Sequence, residues 1–374
     1  MRVDDRYCWA ALQIALNLGP ISLLRLYRYF PAGKAVLDAS AAELKRVPRL
    51  TQKSVERVIQ RRSAVNPEKA AKDLQSRGIT VTLLGEEAYP DNLSQIADPP
   101  AIIYTKGRLP EPEMPLIAVV GSRRATTYGK AVAYRLSQDL VELGWGVISG
   151  MARGVDTAAH QGALAAGGYT LAVLGCGINI CYPRENNKLK ESIQEKGCVL
   201  SEFPPDTPPV AQNFPIRNRI ISGISMGTLV VEAGERSGAL ITAFNALDQD
   251  REVFAVPGPV TSEHSRGTNK LIKQGAKLVA SAEDISEEFP YLTCVKLPET
   301  SSKKHVESSL TLEQSCVLQK LSIEPIHMDQ LVEMTGLSVS EVGSILTLLE
   351  FKGLVKQLPG DYFINPRAEL DQKR

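Results

Sequence analysis

The chain has 374 residues and six cysteines, yet no Cys-x-x-Cys pair, and its four histidines are scattered. No zinc-type ligand spacing appears, so no metal site is expected. No run reaches the ~18 apolar residues that a membrane span needs. The start, MRVDDRYCWAAL, lacks the pattern of a secretory leader. A reducing cytoplasm and no membrane partner are the expectation. There is no GxxxxGK[ST] phosphate loop and no GxGxxG dinucleotide fingerprint. ATP hydrolysis of the P-loop type is unsupported, and no cofactor is expected. No Ser/His/Asp or Cys/His order points to a nucleophile. Excess charge of one sign is also missing, because the net charge is +1. The balance of the whole chain therefore neither supports nor excludes a nucleic-acid partner.

Charge is unevenly distributed. Residues 1–78 carry 15 Lys/Arg against 7 Asp/Glu, a net +8, so the remainder is acidic. This basic segment reads as short helices, with Ser40 capping AAELKRV and Glu43 completing a capping box. Paired helices with tight turns resemble helix–hairpin–helix or sterile-alpha-motif modules. A helix–hairpin–helix turn uses glycines to bring its amides to a phosphate, but only Gly19 fits, and Pro48 and Leu50 occupy the second turn. DNA contact and simple packing or partner docking both remain open for this module.

From 79 the pattern changes. Strand-like ITVTLL and AIIYTKG lead to the proline-rich stretch 110–115. Strand and helix then alternate from 116 to 289, through LIAVVG, GVISG, TLAVLG, CVLSEF, TLVVEA and EVFAVPG. Apolar strands separated by helices predict a doubly wound, mostly parallel sheet with right-handed crossovers. The expected fold class is α/β, an extended Rossmann-like sheet. Residues 290–310 have a linker composition. Residues 311–374 read as three helices and a hairpin, the outline of a winged helix. The expected domains are therefore a helical module at 1–78, the sheet domain at 79–289 and the winged helix at 311–374. The winged helix's third helix carries Glu341 and Glu350 and is poor in cations. That favours a protein-contact or structural role over groove reading.

Ligands of such sheets bind where loops leave the C-terminal strand ends. Gly121, Ser122, Arg123 and Arg124 follow the first sheet strand, an arrangement that suits a phosphate held by amides and a bidentate guanidinium. Gly150, Arg153 and Gly154 follow the second, and Asp156 reads as a helix N-cap. Gly175 and Gly177 follow the third, with Tyr182, Pro183 and Arg184 behind them. Phe214, Arg217, Asn218 and Arg219 precede TLVVEA, and Ser237 and Gly238 follow it. An aromatic beside arginines is the pattern that stacks a base while cations hold the backbone. Phe214 reads either that way or as core. Glu202 and Glu232 end apolar strands nearby, where they suit acid–base work or the orienting of arginines.

The runs GSRRAT, GMARGVDTAAH, GCGINICYP, SEFPP, FPIRNRIISGIS, VVEAGERSGALITA, VFAVPGP and GTNKLIKQGA together resemble the DNA-processing protein A family, also called Smf. The likeness spans the α/β region in order, and the flanking modules fit its longer members. It implies a non-enzymatic protein that binds single-stranded DNA in a positive pocket of the Rossmann-like domain. It also implies a homodimer through that domain and the loading of a RecA-class recombinase during natural transformation. The matching residues are Arg123 of GSR, Phe214, and Arg217 and Arg219 of RNR. Lys188 and Lys190 are candidates for the family's pocket lysines. A nucleotide-processing enzyme resembling nucleoside-monophosphate phosphoribohydrolases is the alternative, although the PGGxGT cluster is missing. A sequence-specific regulator acting through the winged helix is a third reading.

Overall fold

The computed structural model describes residues 4–292, 312–322, 325–351, 354–358 and 360–365. They fall into two units that divide within the expected linker 290–310, which lies outside the described residues from 293 onward.

In the first unit six helices come first: α1 (Asp5–Leu16), α2 (Pro20–Tyr29), α3 (Gly33–Asp38), α4 (Ala41–Lys45), α5 (Gln52–Arg61) and α6 (Pro67–Ser76). The capping box at α4 is formed, with Ser40 and Glu43 each satisfying the other's backbone N–H. Next come β1 (Thr80–Leu83), α7 (Asp91–Ser94) and β2 (Ile102–Gly107). The alternating region supplies β3 (Leu116–Val120), α8 (Thr127–Glu142), β4 (Gly146–Ser149), α9 (Val155–Ala165) and β5 (Thr170–Val173). It continues with α10 (Asn187–Lys196), β6 (Cys198–Ser201), α11 (Asn213–Ile224), β7 (Gly227–Val230) and α12 (Gly238–Asp248). The unit closes with β8 (Glu252–Ala255), α13 (Arg266–Lys273), β9 (Lys277–Leu278) and α14 (Glu283–Ser286).

The nine strands form one sheet in the order β1-β2-β6-β5-β4-β3-β7-β8-β9. All neighbours are parallel except β1–β2 and β2–β6, so the two strands before the proline-rich stretch extend the sheet as an antiparallel edge. Period-2 alternation assigns the faces of β3. Ile117 and Val119 pack with Ala133, Leu136 and Ala159 of α8 and α9. Ala118 and Val120 pack with Ile220, Leu240 and Ala243 of α11 and α12. Both faces are covered, which is why the strand is apolar throughout.

The N-terminal helices share a core with this sheet's antiparallel edge. Trp9, Leu12, Leu16 and Leu23 join Tyr104, Leu174 and Val199. Buried Gln13 fixes the contact: its Nε2 donates to the Glu202 carbonyl at 2.9 Å, and Tyr104 donates to its Oε1 at 2.8 Å.

The second unit contains α15 (Leu312–Lys320), β10 (Ile326–His327), α16 (Met328–Thr335), α17 (Val339–Phe351), β11 (Lys356–Leu358) and β12 (Tyr362–Ile364). Gly336 ends α16 in the left-handed conformation, and Ser338 with Glu341 caps α17. Read from sequence, the second helix begins at Ile326. In the structure Ile326 and His327 pair with β12, and the helix begins at Met328. This is a winged helix with a three-stranded wing, β10-β12-β11. Among the described residues no single helix is long and apolar enough to cross a membrane.

Candidate nucleic-acid interface

Strands β3 to β6 step outward in one direction, and β7 to β9 step in the other. The C-terminal ends of β3 and β7 therefore flank a topological switch point, where open α/β sheets form their ligand crevice. A pocket of about 640 Å³ lies there. The loop after β3 lines it with Gly121, Ser122, Arg123 and Arg124. The first turns of α11 add Phe214, Arg217 and Asn218, and the start of α12 adds Ser237 and Gly238. The fold thus gathers these sequence-predicted residues at one edge.

Arg123 and Arg124 are exposed, and neither enters an ion pair with a described residue. The Arg123 guanidinium lies 5.0 Å from the centroid of the half-buried Phe214 ring. The Tyr182 ring stands 5.4 Å from the same ring, tilted by 48°. Tyr182 is 44% exposed and lines the pocket. Sequence reasoning selects Arg184, which directly follows the GCGINICYP run, whereas the structure brings Tyr182 of that run to the pocket. The signal was an aromatic just beyond a glycine-bearing strand end. Phe214 lies in the first turn of α11, which starts at Asn213 rather than at Arg217 as read from sequence. Pro215 is tolerated so early because first-turn amides have no intrahelical acceptor.

The remaining predicted residues are buried or stand outside the pocket. Arg217 lines the pocket but is only 3% exposed. It donates to the Gly150 carbonyl at 2.8 Å and also to the Val173 carbonyl, tying α11 to the ends of β4 and β5. Burial lowers its pKa to about 10, which leaves it a cation at neutral pH. Gly150 provides the clearance, since a Cβ there would lie 2.4 Å from Arg217 Nη1. Gly154 sits at φ 78°, and a Cβ there would meet the Ser122 carbonyl at 2.2 Å. These two glycines let the loops and Arg217 close up; neither lines the pocket.

Asp156 is not the N-cap of α9, which is Gly154. Its buried carboxylate turns back to accept from the Gly150 and Ala152 amides, each at 3.2 Å. Burial pushes its pKa up, against the opposing pull of Arg217.

Arg219 is turned away from the pocket. It forms a buried two-pronged pair with Glu202 at 2.7 and 3.2 Å and reaches Asp98 at 3.0 Å. Burial pushes the Glu202 carboxyl up to about 7, although Arg219 pulls it down. Glu232 accepts from the Thr126 amide and hydroxyl at 2.8 Å each, so it anchors the start of α8 rather than any arginine.

Arg153 is exposed and pairs with Glu185 at 2.6 and 2.7 Å. Arg184 and Lys188 are exposed near the start of α10 and do not line the pocket. Lys190 is buried and donates to the Ile178 and Ile180 carbonyls, a loop-ordering role. Behind the floor, His160 is fully buried with Nδ1 2.7 Å from the Thr170 hydroxyl. Burial, with a smaller push from Arg217, lowers its pKa to about 3.

Comparison with known proteins identifies relatives of both units. Residues 80–290, more than half of the chain, match the family described as DNA recombination-mediator protein A. Residues 301–361 match the DprA winged helix domain. Protein Smf of Synechocystis is 32% identical over 96% of this chain and 98% of its own length. Protein Smf of Escherichia coli is 42% identical over 75% of this chain and 76% of its own. The X-ray structure of DNA processing protein A from Streptococcus pneumoniae aligns with a TM-score of 0.66 and 33% identity, covering 77% of this chain and 99% of that one. DNA processing protein A of Helicobacter pylori, whose structure concerns its single-stranded DNA binding mode, aligns with a TM-score of 0.51 and 27% identity over 57% and 96%. With its sheet topology, its winged helix and these matches, the chain belongs to the DNA recombination-mediator protein A family, the DNA-processing protein A or Smf proteins.

Proposed function

We propose that this protein binds single-stranded DNA in the switch-point pocket and hands the strand to a RecA-class recombinase. The observation that carries this reading is the stack of an unpaired, exposed Arg123 over Phe214, with Tyr182 beside it. A cation that a phosphate can reach and a ring that a base can cover are what single-strand sites combine. The single-stranded DNA binding named for the Helicobacter pylori relative points the same way. Protection of the strand during transformation and a homodimer through the Rossmann-like domain complete the proposal.

The test is a fluorescence-anisotropy titration of a labelled single-stranded oligonucleotide at two salt concentrations, with a duplex competitor. Binding is expected to favour the single strand and to weaken steeply with salt. A folded protein that ignores the strand would overturn the reading. Recombinase loading is checked by filament assembly on strands coated with single-strand-binding protein, and dimerisation by sedimentation.

A mononucleotide substrate is the second reading, because the pocket sits where α/β sheets hold nucleotides. Its one lining carboxylate, Asp156, is already engaged by two amides. Release of free base from nucleoside monophosphates would revive this reading.

A further inference from the structure

The basic N-terminal helices contribute no residue to the switch-point pocket. They carry a cleft of their own, about 390 Å³, lined by Asp5, Trp9, Tyr27, Arg28, Tyr29, Phe30 and Pro31. Four of its seven lining residues are aromatic, in a chain that is only 6% aromatic. Two of them form a fixed wall. Trp9 donates to Asp5 at 2.9 Å, Tyr27 donates to the Leu84 carbonyl at 2.6 Å, and the two rings meet edge to face at 5.0 Å. Tyr29 is 44% exposed and stands 5.1 Å from the Phe30 ring. The carboxylate in the cleft is occupied on both oxygens, because Asp5 also accepts from the Gly33 amide at 2.9 Å.

One cation lines this cleft, and two others lie near it. Arg28 is exposed at its lip. Arg25 lies three residues back, on the same side of α2. Its guanidinium donates to the Arg49 carbonyl, which brings exposed Arg49 of the α4–α5 turn alongside. The lip is also tied to α11, the helix whose first turn carries Phe214. Arg28 reaches the Ala97 carbonyl at 3.5 Å, and the next residue, Asp98, holds Arg219 of α11. Phe214 is five residues before Arg219 on that helix, about 7.5 Å along its axis and about 140° around it.

We propose that the aromatic cleft and its arginines form a second contact for single-stranded nucleic acid. Tyr29 and Phe30 receive a base, and Arg28 and Arg49 hold phosphates of a strand whose other part lies in the switch-point pocket. The proposal rests on the reading of that pocket as a single-strand site. A single strand fits better than a duplex because an exposed ring stacks a base only when the base is unpaired and turned outward.

The test uses the full-length protein with labelled oligothymidylates of about 6 and about 30 nucleotides, one short enough for a single site and one long enough for both. Arg28→Glu/Arg49→Glu is expected to bind the short strand as the native protein does. Its affinity for the long strand should fall about tenfold, and the slope of log affinity against log salt should become shallower by about 1.4. Tyr29→Ala should weaken long-strand binding severalfold without changing the short-strand result. It alters one exposed ring, so it decides the matter even if the double variant fails to fold. Native long-strand affinity in Tyr29→Ala and in a folded double variant overturns the second site. A larger loss for duplex than for single strand overturns its single-strand character. Arg123→Glu tests the pocket separately: intact short-strand binding in that variant defeats the pocket reading, whatever the cleft variants do.

Discussion

The loop after β3 and the first turns of α11 both bring two arginines to one edge of the sheet, and they use them in opposite ways. Arg123 and Arg124 lie exposed at the rim. Arg217 and Arg219 are 3% and 8% exposed, one bonded to backbone carbonyls and the other to Glu202 and Asp98. A guanidinium whose donors are already satisfied inside the protein shapes the site. One that still faces water is available to a phosphate. The comparison separates residues that build the pocket from residues that use it, although all four belong to runs of the same family likeness.

The largest effect should come from breaking the floor. Arg217→Ala removes a donor from the Gly150 and Val173 carbonyls and leaves Asp156 without its neighbouring cation, and Arg219→Ala strands Glu202. Each should cost about 3–5 kcal/mol of stability in urea denaturation. A loss close to that of an exposed site would erase the distinction between floor and rim.

Arg123→Glu sharpens the same contrast from the other side. Stability should stay within about 0.5 kcal/mol of native, since the residue is exposed and unpaired. Affinity for a single-stranded oligonucleotide should fall about a hundredfold, with a shallower salt dependence. Unchanged affinity in the anisotropy titration would remove Arg123 from the site.

Phe214→Ala should cost about 1–3 kcal/mol of binding if one base stacks on the ring, with Tyr182→Ala toward the lower end. Phe214 also packs against the floor: a Cβ on Gly175 would lie 2.7 Å from its ring. Its unfolding curve should therefore be read beside its binding curve. Lost stability with full binding would return Phe214 to the core.

The smallest effect at neutral pH belongs to the floor alone and grows on acidification. His160 is held neutral to about pH 3 in the folded state. Below about pH 6.5 the unfolded chain takes up a proton that the folded chain refuses, so stability falls by about 1.4 kcal/mol per pH unit on acidification. Glu202, raised to about 7 by burial, acts with the opposite sign: its contribution is full below its ordinary value of 4.5 and is lost as pH rises through 7. The difference between native and His160→Gln denaturation midpoints at pH 4.5 and 7 isolates the histidine. Identical pH profiles would show that His160 is not held neutral.

The strands were legible because a doubly covered parallel strand has to be apolar at every position, as LIAVV is. The Ser40–Glu43 box and the Gly336 cap were legible because capping is local chemistry. The loops after β3 and β7 could be placed at one edge because the βα alternation dictates it. The split between Arg217 and Arg219 was not legible. Two residues apart on a helix, they point about 200° apart. Which of the two meets the pocket depends on the strands and loops packed around α11. Tyr182 was passed over for a similar reason, since nothing local brings its ring to Phe214, 32 positions later.

By itself, then, the sequence determined the alternating layers, the glycine-bearing strand ends and the aromatic and cationic residues available near them. These follow from hydrophobic periodicity and turn chemistry, which act over a few residues. Only the tertiary structure decided which cations are consumed. Burying a guanidinium or a carboxylate is tolerable only where partners from distant segments complete its hydrogen bonds. Gly150, Val173, Glu202 and Asp98 meet α11 only when the sheet and its edge close around that helix.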